Sequence, residues 1–213
     1  MTADLFTPAY DRIALGPGAH LLCGFASTRE EAILAALAAV TASAPFRRMV
    51  TPGGYTMSVA MTSCGTVGWV TDRAGYRYDT MDPATARPWP SMPEAFRGLA
   101  ESAAALAGYP GFVPDSCLIN RYAPGTRLSL HQDRNEREFG APIVSVSLGL
   151  PATFLFGGAA RGDRPRRVPL ASGDVVVWGG PARLAFHGVA PLAEGTHLLT
   201  GGCRINLTFR QAG

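Results

Sequence analysis

From Asp115 onward the chain breaks into short apolar or alternating runs, separated by Pro, Gly or Asn/Asp clusters. The runs are Ser116–Tyr122, Ile143–Leu150, Thr153–Phe156, Asp174–Trp178, Arg183–His187 and Arg204–Arg210. Runs of this length with this punctuation are strands. Six of them in about a hundred residues must close into a sandwich or barrel, and a jelly roll fits the size. The 25 glycines and 17 prolines of this 213-residue chain also argue against a helical bundle. With 47% hydrophobic and 16% charged residues, the chain can bury a sizeable core and is not disordered.

Two helices precede or flank this region. Thr28-Arg-Glu-Glu31 is a capping-box pattern and predicts a helix over residues 29–42. Ser91-Met-Pro-Glu94 is a second box, with a helix running to Leu106 and stopping at Gly108. The two helices are expected to brace one sheet from outside. The expected architecture is mainly β with flanking helices, in one domain over 1–213 with its core over 115–213.

No apolar run approaches the roughly 18 residues that a spanning helix needs. The longest, Ala32–Val40, follows Glu30 and Glu31. Met1–Ala9 has neither a basic region nor an apolar core, so no signal peptide is expected. These features predict a cytoplasmic protein with no membrane partner, and a monomer is expected. Cys23, Cys64, Cys117 and Cys203 are far apart and form no C-x-x-C, which suits reduced thiols better than a cysteine-rich zinc site.

All 19 basic residues are arginine, and they cluster. Residues 121–167 carry eight Arg against four acids, and residues 47–77 carry four against one. The chain as a whole has a net charge of only +3. Such blocks suit a polyanion such as nucleic acid, or a solvated face. The first block overlaps residues 45–90, which fit neither helix nor strand well. Gly and Pro hinges there alternate with Tyr55, Trp69, Tyr76, Tyr78 and Trp89. A loop-rich segment with so many aromatics is either a lid over a binding surface or an irregular segment packed on the core.

The chemistry begins at His131-Gln-Asp133, after the strand-like Arg127–Leu130. In extended chain both side chains face one way, so an imidazole and a carboxylate can share a metal. His187, 54 residues after Asp133, follows the strand-like Ala182–Phe186. Two histidines and one carboxylate form the facial set of non-haem iron(II) oxygenases, which leaves metal positions open. A closed zinc site would need a fourth protein ligand, for which Cys203 is a candidate.

The final run alternates without a break. Arg204, Asn206, Thr208 and Arg210 take one face; Ile205, Leu207 and Phe209 take the other. An edge strand with a solvated face is one reading. The other is a carboxylate cage, because arginine forks bind carboxylates bidentately.

Together, H-x-D, the distant histidine and R-x-N-x-T-x-R resemble the AlkB family, the bacterial 2-oxoglutarate- and iron(II)-dependent dealkylases of nucleic acids. Pro45–Met61, Cys117–Asp133, Pro142–Pro151, Asp174–Gly179 and Arg204–Gly213 carry the resemblance, which covers most of the chain. It implies a double-stranded β-helix (jelly roll) with an N-terminal nucleotide-recognition lid over 45–90. It implies iron(II) on His131, Asp133 and His187, with 2-oxoglutarate and O2 as cosubstrates and ascorbate as an optional reductant in vitro. Asn120, Tyr122 and Arg204 would hold the far carboxylate of 2-oxoglutarate. Arg210, with Asn206 and Thr208, would orient the near one.

The implied reaction is oxidative demethylation of N-alkylated bases of the 1-methyladenine and 3-methylcytosine type. It releases formaldehyde, succinate and CO2 and directly reverses alkylation damage. The implied substrates are single-stranded DNA, RNA, or a base flipped from a duplex, because a stacked base cannot reach buried iron. Trp69 and His131 would sandwich the base. Tyr76 and Arg161 would contact the substrate; Thr51, Tyr55, Arg127 and Arg134 would contact its backbone. The family commonly has an aspartate at the position of Asn135, near the base's exocyclic amine. Asparagine offers that base no negative charge.

Two other readings share much of this pattern. One is a same-fold oxygenase acting on a protein or small molecule. The other is a jelly-roll module that binds metal or nucleic acid without turnover.

Overall fold

The computed structural model describes residues 11–213; the reading of Met1–Ala9 lies outside the described residues. Its strands are β1 Arg12–Gly16, β2 Ala19–Leu22, β3 Ala60–Gly65, β4 Gly68–Asp72, β5 Gly75–Asp79, β6 Met81–Asp82 and β7 Arg87–Pro88. They continue with β8 Ser116–Tyr122, β9 Leu128–His131, β10 Ile143–Gly149, β11 Ala152–Phe156 and β12 Arg166–Leu170. The last three are β13 Val175–Trp178, β14 His187–Val189 and β15 Arg204–Arg210. Two helices, α1 Glu30–Ser43 and α2 Glu94–Leu106, complete the architecture.

A seven-stranded sheet, ordered β1-β2-β13-β10-β15-β8-β3, faces a four-stranded sheet, ordered β12-β11-β14-β9. All their pairings are antiparallel. This is the expected jelly roll.

The alternation of the large sheet decides what each face does. Ile205, Leu207 and Phe209 of β15, with Val144, Val146 and Leu148 of β10, pack against Ile33, Leu37, Phe96 and Leu99 of the helices. Phe96 and Phe209 meet edge to face at 6.2 Å. Both helices therefore lie outside the large sheet, as expected. The opposite face of β15 lines a cavity between the sheets with Arg204, Asn206, Thr208 and Arg210.

Both capping boxes are corrected. A 3-10 turn, Ser27–Arg29, precedes α1, whose N-cap is Arg29 with no side-chain cap bond. Gly24 N–H donates to Asp174 and Ala26 N–H to the Gly173 carbonyl, both at 2.8 Å. These bonds fold the approach into a turn and use Thr28 inside it. For α2 the N-cap is Pro93, not Ser91. Met92 precedes that proline and is biased away from helical geometry, so the helix begins at Glu94. Its stop is as expected. Gly108 has φ +98°, and the N–H groups of Gly108 and Tyr109 reach Ala105 and Ala104 in a Schellman closure.

The run Arg183–His187 is not a strand. Gly180–Ala182 is a 3-10 turn containing Pro181, and its hydrogen bonds continue to Arg183 and Ala185. The strand begins at His187 instead. Sequence reading also missed β12 and the β1–β2 hairpin. Within 45–90, β3 is not lid-like: it pairs with β8 at the edge of the large sheet. The segment's other main element is the β4–β5 hairpin.

Candidate metal and cosubstrate site

The register of the small sheet brings the two histidines together. His131 of β9 and His187 of β14 are direct cross-strand partners, with ring centroids 4.3 Å apart. A register shift follows between His187 and Val189. Gly188 sits in it, where a Cβ would come within 2.6 Å of the Leu128 carbonyl oxygen. Only glycine lets the two strands approach this closely.

Each imidazole is oriented by its own backbone. Nδ1 of His131 lies 2.9 Å from the Ser129 carbonyl oxygen, and Nδ1 of His187 lies 3.0 Å from that of Ala185. Nδ1 is therefore the protonated nitrogen, and Nε2 presents its lone pair to the cavity. The two Nε2 atoms stand 3.6 and 3.7 Å from the Asp133 carboxylate oxygens. All three ligand atoms lie within 4.8 Å of one another. Burial, helped by neighbouring His131, pushes the His187 imidazole down to about 4, so it stays neutral and able to ligate. Burial alone would raise the Asp133 carboxyl. Arg210 and the two histidines outweigh it and hold that carboxyl well below the usual range.

Cys203 is not part of this group, which corrects its candidacy as a fourth ligand. Its Sγ is bonded to the Thr200 carbonyl at 3.1 Å. It immediately precedes β15 and packs against the core cluster that contains the helices.

The two arginines of β15 have different surroundings. Arg210 donates from Nε and Nη2 to Asp133 Oδ2 at 2.8 and 2.6 Å. Arg204 is 1% exposed and has no carboxylate partner among the described residues. Its Nε donates to Ser147 at 3.0 Å, and its guanidinium carbon lies 5.0 Å from the Tyr122 ring centre. Arg204 Nη1 and Asn120 Oδ1 are buried without hydrogen-bond partners among the described residues. Burial pulls the Arg204 guanidinium down from its ordinary value. An uncompensated buried cation costs several kcal/mol, on the order of 3–5. An anion supplied by a ligand would remove that cost. Asn206 faces Asn120 across β15–β8, with Thr208 Oγ1 donating to Asn206 Oδ1 at 3.1 Å. The donor set fits an iron(II) ion, and the unpaired arginine fits the carboxylate of a small diacid.

Of the remaining residues named from the sequence, Trp69, Tyr76, Arg127, Arg134, Asn135 and Arg161 line the same cavity of about 750 Å3. Trp69 stacks on Tyr76 at 5.7 Å and donates its indole N–H to Asn135 Oδ1 at 3.2 Å. Arg161 lies over Phe186 at 5.2 Å. Thr51 and Tyr55 lie outside the cavity, in a tight turn closed by Thr51 N–H to the Tyr55 carbonyl at 2.8 Å. Tyr55 is 78% exposed. The basic blocks are only partly free: Arg47 pairs with Asp82, and Arg77 with Asp72 and Asp79.

Sequence reading missed a buried ionic cluster behind the metal ligands. Glu136 has a side chain 1% exposed and meets Arg183 at 3.2 Å and Arg210 at 3.3 Å. Tyr78 donates its hydroxyl to the same carboxylate at 2.6 Å. Arg183 also holds the main-chain carbonyls of Asp133 and Ala141. Charged residues in a polar loop carry no periodic signal of burial. Trp178, 4.9 Å from the His187 ring, likewise carries no sequence signal beyond its place in a strand.

A jelly roll with two imidazoles and a carboxylate at its cavity, and a buried unpaired arginine further along, defines an iron(II)- and 2-oxoglutarate-dependent oxygenase. The family model of the 2OG-Fe(II) oxygenase superfamily matches residues 18–210. The chain is 57% identical over 211 residues to the alpha-ketoglutarate-dependent dioxygenase AlkB of Escherichia coli (strain K12), covering 99% of this chain and 98% of that protein. A shorter match, 44% over 115 residues, covers 48% of this chain and 25% of the DNA N(6)-methyladenine demethylase ALKBH1C of Arabidopsis thaliana. The solved structure of OsALKBH1 superposes with a TM-score of 0.81 at 31% identity, covering 94% of this chain and all of that one. The chain belongs to the AlkB family of 2OG-Fe(II) oxygenases.

Proposed function

We propose that this protein demethylates N-alkylated bases in single-stranded nucleic acid. One observation carries the reading. A single cavity joins the His131–Asp133–His187 set and the buried Arg204 to a rim of aromatics and arginines. The E. coli relative is an AlkB dioxygenase and the Arabidopsis relative a nucleic-acid base demethylase by name, which supports the substrate class. The cavity volume is ample for a cosubstrate and one base together.

When bound, iron(II) and 2-oxoglutarate supply the oxidising power for hydroxylating an N-methyl group, which is then lost as formaldehyde. The protein's own residues bind, orient and exclude. Arg204, with Asn120 and Tyr122, takes the far carboxylate of 2-oxoglutarate. Arg210, Asn206 and Thr208 orient the near one. Trp69 and His131 wall a flipped base, to whose cationic ring an aromatic face contributes about 0.5–2 kcal/mol. Tyr76, Arg127, Arg134 and Arg161 hold the flanking strand at the rim, with Thr51 and Tyr55 further out. The protein acts as a monomer in the cytoplasm. Its single unit spans 1–213, with the catalytic core over 115–213 and the lid within 45–90.

Binding separates this reading from a peptide or metabolite oxygenase. Methylated single-stranded DNA should bind well and lose affinity steeply as salt rises, while unmethylated duplex and methylated peptides bind weakly. Equal affinity for peptide would reject it.

Asn135 sets a second expectation. The indole N–H of Trp69 can only donate, so Asn135 turns its carbonyl to Trp69 and keeps its amino group for other contacts. Aspartate would keep the tryptophan bond and add a charge. One charge pair at about 4 Å is worth roughly 4 kcal/mol at an effective dielectric of 20. Desolvation leaves about 1 kcal/mol net. Asn135→Asp should therefore raise the kcat/KM ratio of 1-methyladenine and 3-methylcytosine over neutral 1-methylguanine about fivefold. An unchanged ratio would show that position 135 does not sense base charge.

A further inference from the structure

Trp69 and Tyr78 are direct partners across the β4–β5 hairpin, so their side chains leave the same face. They bond to consecutive residues of the segment that follows the metal-ligand pair. Trp69 donates to Asn135, and Tyr78 donates to Glu136 at 2.6 Å. The two contacts differ in kind. The first is exposed; the second ends in a buried carboxylate already shared by two arginines.

The buried cluster is balanced in charge: Asp133 and Glu136 against Arg183 and Arg210. Arg183 anchors Glu136 from the turn before β14 and also holds the backbone of Asp133. Arg210 Nε and Nη2 both donate to Asp133 Oδ2, at 2.8 and 2.6 Å, and Glu136 Oε1 lies 3.3 Å from Nε as an ion pair. Both carboxylates therefore bear on the Nε edge of the guanidinium. Its remaining nitrogen, Nη1, is buried without a hydrogen-bond partner among the described residues, and Arg210 lines the cavity. With Glu136 moved, the fork would rest on a single oxygen, Asp133 Oδ2, about which the guanidinium can pivot. Glu136 in turn is held by the Tyr78 hydroxyl, the one contact to it from the hairpin among the described residues.

The geometry points to Tyr78 and Glu136 as positioning residues: the hairpin, through Tyr78, fixes Glu136, and Glu136 fixes the orientation in which Arg210 offers Nη1 to the near carboxylate of 2-oxoglutarate. This rests on the reading that Arg210 receives that carboxylate. Tyr78 itself does not line the main cavity. It forms the wall of a smaller neighbouring recess with Arg77 and Arg137. Its effect on the cosubstrate is therefore indirect. Removing one phenolic oxygen takes away a buried bond to an ionised acceptor and leaves the ring in place.

The test is the affinity of the full chain for 2-oxoglutarate, by anaerobic calorimetry with manganese(II) in place of iron. Tyr78→Phe should weaken 2-oxoglutarate five- to twentyfold while changing manganese affinity less than twofold. Glu136→Gln, which keeps the shape and can still accept from Tyr78, should weaken it further. In an Arg210→Lys background the point ammonium has no plane to orient, so Tyr78→Phe should then cost less than twofold. A merely structural role for Tyr78 would give the same loss in both backgrounds, and that result would overturn the proposal, as would unchanged affinity in Tyr78→Phe. If Tyr78→Phe does not fold, the same cycle with Glu136→Gln decides in the same way. Unaltered affinity in Arg210→Lys and Arg210→Ala alike would instead remove the underlying assignment of Arg210, a separately recognisable failure.

Discussion

Arg204→Met should weaken 2-oxoglutarate binding by at least a hundredfold and leave the ligand-free protein as stable as before, or more stable. The two effects have opposite signs for one reason. In the ligand-free cavity Arg204 is a buried cation with no acid beside it among the described residues, held by a hydrogen bond to Ser147 and by Tyr122. Its charge is an expense to the folded chain until an anion arrives. Methionine keeps much of the volume without the charge. Binding loses a charge-assisted contact, worth about 1.5–3 kcal/mol, and the diacid's far carboxylate is then buried without its partner. Thermal melts with and without 2-oxoglutarate check both halves. Wild type should gain several degrees from the ligand and the variant almost none. A fall in the ligand-free melting temperature would mean that Arg204 is structural.

His187→Ala should abolish iron-dependent turnover and release iron at concentrations that saturate the wild type. His187 is 5% exposed, neutral, and aimed by its Nδ1 contact to Ala185. The group has three protein ligand atoms among the described residues, and none of the others there can replace it. The pocket it leaves is walled by Trp178 and Phe154, which do not ligate. The fold should survive, because His187 contributes ring packing and no cluster of ion pairs. Iron titration beside circular dichroism tests this. Full activity in the variant would remove the oxygenase assignment.

Arg210 would be a poorer probe of the same chemistry. From the strand alone, Arg204 and Arg210 look like equivalent members of one polar face. Alternation put Arg204, Asn206, Thr208 and Arg210 on one face, and all four line the cavity, because a two-residue period is a geometric property of any strand. It could not distinguish an arginine without an acid from one clamped between Asp133 and Glu136. That difference comes from the loop after β9 and from Arg183 in a turn, elements remote in sequence. The same limit explains the two misplaced helix starts. Thr28 and Ser91 have the right spacing for caps, but contacts from Gly173 and Asp174 and the restriction before Pro93 overrule them. Aromatic content flagged residues 45–90, but only the pairing with β8 shows that β3 belongs to the large sheet.

The most direct test of the function is anaerobic reconstitution with iron(II) and 2-oxoglutarate, followed by aerobic turnover on methylated single-stranded oligonucleotides read by mass. The account predicts loss of one methyl group from the oligonucleotide, with one formaldehyde and one succinate formed for each. Succinate formation that continues while every oligonucleotide keeps its methyl group would contradict it, and would leave an oxygenase whose substrate is not a nucleic-acid base.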